Sequence, residues 1–500
     1  MGDALPQPSG RFDVKLNVPP GVSTDLVSFN VTKENRVWRK GEVTLAYGIK
    51  RRAWAPNDHV MKMDAHITEE SCATYGIMAL RVPKELLQEG QRARLDVVPF
   101  NRQPSKRWFK ADVDMFARPV WKCDIDAALD AAATDPEPPL ADGHNVYFGD
   151  LHVHSGEEHG SGRTCGLGTL DENYEYARDV AGLDVVAITD HDWQIKDQED
   201  WKLRMAQNDE WNEDGRLVVI PAYEWPSAPY GHRNVYYRDT GWPYFDNNPG
   251  PGHNQIGGDA RSPADLWASL RECGAKALTI AHHPSTGFFP LDWSYRDAEF
   301  DRLVEVYSTW GNSEYLGAPF PGYASDRHEG LGALDALKMG HRLGLMASSD
   351  GHDGNAGNAN WSHRQAHIHH RLGSGFIAVL ADELTREAIW DAIYARRCYA
   401  TTGTRIVLGF TVNGAVMGSE ISMPDGEARV IEAEVTGTAP LDHLELVKDG
   451  EVVYEQACRG MTDCLDVAEA DAEGAAFYYL RVFQTDGEMA WSSPVWVDPA

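Results

Sequence analysis

Histidines and carboxylates recur in this sequence at the points where short apolar runs end. Asp150-Leu151-His152-Val153-His154 follows Val146-Tyr147-Phe148, and Asp190-His191 follows Val185-Val186-Ala187-Ile188. Glu224 comes shortly after Leu217-Val218-Val219-Ile220, His282-His283 after Ala277-Leu278-Thr279-Ile280, and Asp350-Gly351-His352 after Leu343-Gly344-Leu345-Met346. Mixed imidazole and carboxylate donors suit Zn, Mn or Fe and disfavour Mg or Ca. Gathered at one place, this many donors would hold more than one cation. Two such ions about 3.5–4 Å apart lower the pKa of bound water, aim a bridging hydroxide at a tetrahedral centre and neutralise the leaving oxygen. That chemistry is ester hydrolysis.

The spacing within each motif is informative. In an extended segment His152 and His154 share one face, as do Asp350 and His352, so each pair can reach one ion. His159 lies five residues beyond His154, and His232 eight beyond Glu224. Glu224 is the one acid in Ile220-Pro221-Ala222-Tyr223-Glu224-Trp225-Pro226, where an unpaired buried carboxylate would be very costly; bridging two cations would satisfy it. Asp150 and Asp190 each precede a histidine and suit the orienting of neighbouring imidazoles. Only one of His282 and His283 can point inward from an extended chain. Pro284 restricts His283 to β/PPII geometry, which favours His283 as ligand and places His282 at the rim. Arg163, Arg233 and Arg364 are candidate clamps for an anionic substrate. The tract His363, His367, His369 and His370 reads as a loop near the mouth.

Elements must bring these residues together. The short apolar runs read as buried parallel strands. Between them stand helices: Thr169-x-x-Glu172 is a capping box for a helix ending at Gly182, and Ser262-x-x-Asp265 opens another ahead of Gly274. Residues 330–340 and 385–397 read as two more. This β-α alternation over 144–405 predicts a parallel sheet or barrel, whose strand C-termini would converge on one mouth. Residues 1–130 alternate at period two and read as an N-terminal β-rich domain, and the proline-bearing stretch 131–143 as a linker. Residues 406–500 return to alternation, with Asp449-Gly450 and Asp486-Gly487 where hairpin turns belong, and read as a β-sandwich-like domain.

Composition narrows the function. Five hundred residues exceed a single core. A formal charge of −30 opposes binding to nucleic acid or to anionic membrane, both of which call for a basic face. The N-terminus shows no secretory pattern, and no apolar run approaches the roughly 20 residues that span a bilayer. Seven scattered cysteines without a CxxC pair suggest neither a disulfide framework nor a structural zinc. The expectation is a cytoplasmic protein acting on a small anionic ester, without membrane or nucleic-acid partners and with homo-oligomer formation left open.

The ordered motifs Asp-Leu-His-x-His-Ser, Thr-Asp-His, a lone Glu, His, His-Pro and Ser-Asp-x-His resemble the PHP (polymerase and histidinol phosphatase) superfamily over roughly 144–400. Within it the sequence most resembles a poorly characterised branch carrying Gly-Asp-Leu-His and Ala-Thr-Thr-Gly-Thr-Arg, here ending at Arg405. The resemblance implies an α/β fold, a distorted (β/α)7 TIM-like barrel, with a trinuclear site. It would place one ion with His152, His154, Glu224 and Asp350, and a second with His159, His191 and His352. Glu224 would bridge to a third ion shared with His232 and His283. Where the family often has Ser-Asp-Gly, this sequence has Glu158-His159-Gly160.

The reading is therefore a phosphoesterase with two to three divalent ions (Zn, Mn or Fe) and with Glu224 and Asp350 essential to catalysis. A sulfate or phosphonate ester hydrolase uses the same geometry. A non-catalytic metal-dependent binding module is the reading from another class.

Overall fold

The computed structural model describes residues 140, 143–157, 165–247, 262–287, 289–319, 329–352, 354–358, 374–485 and 487–500, together with the backbones of six short strands between 12 and 99. Those six strands form two three-stranded antiparallel sheets. Of the linker read at 131–143, only Leu140 and Gly143 lie within the described residues. His159, Arg163, Arg364, Asp486 and the histidine tract at 363–370 lie outside them.

Besides the short strand Gly311–Asn312, which folds back on β7, ten strands are described in the motif region: β1 (Asn145–Asp150), β2 (Val185–Val186), β3 (Val218–Val219), β4 (Ala222–Trp225), β5 (Arg233–Tyr237), β6 (Ala277–Ala281), β7 (Asp301–Ser308), β8 (Gly344–Ala347), β9 (Phe376–Ala381) and β10 (Cys398–Thr401). They pair in two arcs. In the first, β10 and β9 run antiparallel beside β1, and β1, β2 and β3 follow in parallel. In the second, β5 lies antiparallel between β4 and β6, and β6, β7 and β8 are parallel. Two isolated parallel bridges, His191 to Glu224 and Val153 to Gly351, tie the arcs to each other at the strand ends. The backbone bonds that do so are Glu224 N–H to Asp190 O at 3.0 Å and His154 N–H to Gly351 O at 2.8 Å.

The helices stand where their caps predict. Helix α1 (Leu170–Tyr176) starts in the Thr169/Glu172 capping box and passes through one wider turn, 177–181, before Gly182 ends it in the left-handed region. Helix α3 (Pro263–Cys273) has the Ser262/Asp265 box, proline at its first position and Gly274 closing it at φ +75°. Helices α4 (Ala333–Lys338) and α5 (Arg386–Tyr394) occupy the two remaining predicted stretches. Helix α2 (Gln198–Trp211), capped by Asp197, has no sequence-level counterpart. Its charges surround the helix, so no apolar stripe announces it.

Apolar side chains of the strands fill the space between the arcs: Leu151, Val185, Val218, Leu278, Ile280, Leu303, Met346 and Ile377 form one core with Ile389 and Ile393 of α5. The C-terminal residues form mostly antiparallel strands, Glu420–Met423 pairing in parallel with Val495–Pro499, and Asp449-Gly450 turns the hairpin between Leu441–Lys448 and Glu451–Ala457 at φ +51° and +86°. Strand Met489–Ser492 pairs with β10, so sheet hydrogen bonding runs unbroken across residue 406. Trp491 and Trp496 pack in one core with Val304 and Leu345. Among the described residues no helix is long and apolar enough to cross a membrane.

Candidate metal centre

The strand ends deliver the donors to one place. β1 runs into Leu151–Ser155, β2 into Asp190 and His191, β6 into His282 and His283, and β8 into Asp350 and His352. Glu224 sits within β4. Because β5 runs opposite to its neighbours β4 and β6, it presents the residue before its start, His232, opposite His282. A reversed strand at this point serves the same mouth with its N-terminal end.

The carboxylate of Glu224 stands at the centre of five imidazoles. Its Oε2 is 3.1 Å from His154 Nε2 and 3.6 Å from His152 Nε2. Its Oε1 is 2.7 Å from His232 Nδ1, 3.4 Å from His191 Nε2 and 3.5 Å from His282 Nε2. Asp350 Oδ1 adds a second carboxylate, 3.3 Å from His152 Nε2, 3.1 Å from His154 Nε2 and 3.6 Å from His352 Nδ1. The ring of His154 stacks on His191 and on His352, with centroids 4.6 and 4.2 Å away. All of these residues are buried.

Groups of side-chain donors lie within 4.8 Å of one another in the combinations His152–His154–Asp350, His154–His191–Glu224, His152–Glu224–His282, His232–His282–His283 and His154–Cys165–His352. Both ring nitrogens of His232 and of His282, with Nδ1 of His154, His191 and His283, are buried without a hydrogen-bond partner among the described residues. His232 Nδ1 is near Glu224 but not aligned to donate to it. So much desolvated nitrogen without a hydrogen bond would be costly in a metal-free role. As a donor set for divalent transition metals, these residues fit.

A ring of supporting contacts fixes the donors. Glu305, in the apolar strand β7, places Oε2 2.8 Å from His152 Nδ1 and turns Nε2 of that ring toward Glu224 and Asp350. Trp310 Nε1 donates to Asp350. Asp190 does not reach the cluster centre: it accepts from Ser155 N–H and Oγ–H at 2.6 and 2.5 Å and from the buried Arg204 at 2.5 Å, so it pins the segment after His154. Asp150 accepts from the backbone N–H groups of Ser349 and Gly357 at 2.9 and 3.0 Å, which fixes the loop bearing Asp350 and His352. Asp350 and His283 hold positive φ, +49° and +33°, a conformation non-glycine residues seldom adopt without surrounding constraint.

Charge is distributed accordingly. Burial raises the Glu224 carboxyl, but the histidines around it, His191 and His282 foremost, pull it well below the usual range. Burial likewise opposes ionisation of Asp350, and His152 and His154 override it. His154 loses by burial but gains from Asp350 and Glu224 and rises to about 9. Burial pushes His283 down to about 3, with His232 adding to the effect. Burial also lifts Asp150 to about 6.

Two expectations need correction. His283 is not held in β/PPII geometry by Pro284. At φ +33° the chain turns, so both histidines of the pair face inward and His282, expected at the rim, is the one within 3.5 Å of Glu224. Arg233 is no anion clamp: its guanidinium is buried over Trp267, with Nε 3.7 Å from Asp301. His152, His154, His191, Glu224, His232, His283, Asp350 and His352 come together as one cluster. Glu305 and Cys165 were not anticipated. A lone acid in Leu303-Val304-Glu305-Val306-Tyr307 was the available signal for the first.

Comparison with known proteins adds the following. The chain matches a family described as a protein of unknown function, DUF3604, over residues 184–302 and 323–438. It is 30% identical over 379 residues to an uncharacterized protein of Chlamydia pneumoniae, covering 71% of this chain and 57% of that protein. It is 29% identical over 388 residues to one from Chlamydia muridarum, covering 69% and 58%. The chain thus spans somewhat over half the length of these relatives. Among solved structures, a two-domain protein from Bacteroides vulgatus, described as containing a predicted PHP-like metal-dependent phosphoesterase, aligns with 13% identity and a TM-score of 0.35, covering 72% of this chain and 98% of that one.

Proposed function

We propose that this protein is a metal-dependent phosphoesterase of small anionic esters, built on a ring of strands best read as a distorted seven-stranded (β/α) barrel. The observation that carries the reading is one buried carboxylate, Glu224, within 3.6 Å of five histidines drawn from four separate segments of the chain. Hydrogen bonding alone offers no use for five imidazoles around two carboxylate oxygens. Shared divalent ions do.

His152, His154, Glu224 and Asp350 would hold one ion, His352 with His154 shared would be donors of a second, and Glu224 with His191, His232, His282 and His283 donors of a third. Bound, such ions supply a low-pKa water and neutralise charge on the ester oxygens. The chain's own part is positional. Glu305 fixes the His152 ring, Trp310 steers Asp350, and Asp190 and Asp150 clamp the two segments that carry His154 and His352. The surrounding apolar core keeps these charges in a medium where they act strongly.

Elemental analysis of the purified full chain, beside assays on aryl phosphate mono-, di- and triesters and on sulfate and phosphonate esters, tests the reading. Two to three transition-metal ions per chain and chelator-sensitive phosphoester hydrolysis are expected. Less than one ion after growth with added Zn or Mn would remove the proposal, and turnover confined to sulfate or phosphonate esters would move it to that class.

A further inference from the structure

The cluster contains a sulfur donor that a histidine-and-carboxylate pattern does not disclose. Cys165 is fully buried, and its Sγ lies within 4.8 Å of a ring nitrogen of His154 and one of His352. A tetrahedral ion with bonds of about 2.0–2.3 Å sets its ligands about 3.3–3.8 Å apart, so small side-chain rotations would bring all three onto one ion. Among the described residues Cys165 is the one cysteine in any such group.

The backbone is built to make this approach. Gly166 N–H donates to Ser155 O at 3.0 Å and Gly156 N–H to Gly168 O at 2.6 Å, which lays residues 165–168 against 154–156. A Cβ on Gly166 would fall 2.0 Å from His154 O, so only glycine allows the two segments to lie this close. A second observation points to a ligand. The buried Nδ1 of His154 has no hydrogen-bond partner among the described residues, and the His352 ring is oriented by its Nδ1 contact with Asp350 O at 2.9 Å.

We infer that Cys165 supplies a thiolate ligand to the cation held by His154 and His352, making that position a mixed sulfur–nitrogen site selective for Zn or Co over Mn. The inference rests on the metal-centre reading above. A soft thiolate favours Zn and Co, whereas Mn prefers oxygen donors. Binding releases the thiol proton to solvent and leaves the oxidation state of the sulfur unchanged.

The test uses the full chain loaded with Co(II) and read by absorption, independent of turnover. A near-ultraviolet sulfur-to-cobalt charge-transfer band is expected beside the visible bands; it should be lost in Cys165→Ser and in Cys165→His, with the visible bands kept in the latter. Cobalt content should fall by about one ion per chain in Cys165→Ser. Cys165→His keeps a donor at the position, so it decides the matter where the serine variant does not fold. Visible bands without a sulfur band in the wild type would overturn the thiolate while leaving the metal centre intact. A sulfur band that survives both substitutions would overturn it too, and a chain that binds no cobalt would remove both readings.

Discussion

Glu305 Oε2 lies 2.8 Å from His152 Nδ1, and the other oxygen of the same carboxylate accepts the backbone N–H of His283 at 3.3 Å. One buried acid thus sets the direction of the first histidine and the height of the last histidine pair. Burial raises this carboxyl above its ordinary range, with His152 acting against the rise. Glu305→Ala should weaken metal binding about 10–100-fold, the usual effect of losing a carboxylate behind a metal-ligating histidine. Glu305→Gln, which still offers one acceptor, should lose less. Competition with a chelator measures both, and wild-type affinity in the alanine variant would show that Glu305 has no orienting role.

Glu224 and Asp350 are the two acids that each approach three or more of the clustered imidazoles. Glu224→Ala and Asp350→Ala should each reduce hydrolysis of an activated aryl phosphate to the uncatalysed background, with the far-ultraviolet spectrum unchanged. Retained turnover in either would break the mechanism at its centre. Glu224→Ala should lose more metal than Asp350→Ala, because Glu224 belongs to two of the donor groups and Asp350 to one.

Much of this centre was legible because its donors stand at strand ends, where an imidazole after an apolar run has no reason to be in a core. The same rule concealed Glu305, which sits inside a strand with its neighbours Val304 and Val306 buried on either side. A buried acid in such a run needs a partner from elsewhere in the chain, and only tertiary structure names His152. Cys165 escaped because cysteines were weighed for spacing against each other, not against a histidine eleven residues before and another far after. The inward turn of both His282 and His283 departs from the local preference before proline, and the contact that accompanies it, His283 N–H to Glu305, comes from a distant strand. In the fold, capping boxes marked α1 and α3, while α2 carried charges on all sides and gave no period to read. The reversed direction of β5 is likewise a matter of pairing, which no single strand encodes.

The metal-free protein should lose stability as pH rises from about 6.5 to 9. His154 moves from 6.5 in an unfolded chain to about 9 in the fold, and His152 is also raised, as Asp350 and Glu224 or Glu305 outweigh their burial. These rings bind protons more tightly when folded, so their stabilisation is full below about 6.5 and lost as pH climbs through the folded value. For His154 alone the loss is on the order of 3 kcal/mol. Asp150 and Asp301, raised to about 6, have already ionised below this window and do not offset it. Divalent ions replace the protons, so the loaded protein should show no such decline. Urea denaturation with and without chelator across this range measures the difference, and parallel curves would contradict it.

The buried pair Arg233 and Asp301 should matter for stability and not for metal. Thr279 Oγ1 donates to Asp301 Oδ1 at 2.6 Å, Arg233 Nε approaches the same oxygen at 3.7 Å, and Arg233 Nη1 donates to Tyr230 O at 3.2 Å. Burial raises Asp301 to about 6 and lowers Arg233, so each group holds its charge mainly through the other. Asp301→Ala would leave a guanidinium in the core without its counter-charge, at a cost of about 3–5 kcal/mol. Replacing both, as in Arg233→Met with Asp301→Val, should recover most of that loss, since an apolar pair of similar volume avoids the desolvation of two ions. Metal content and the KM for an aryl phosphate should stay at the wild-type level in the double variant. A raised KM there would return Arg233 to the role of substrate clamp, and thermal unfolding of the single and double variants decides the energetic half of the claim.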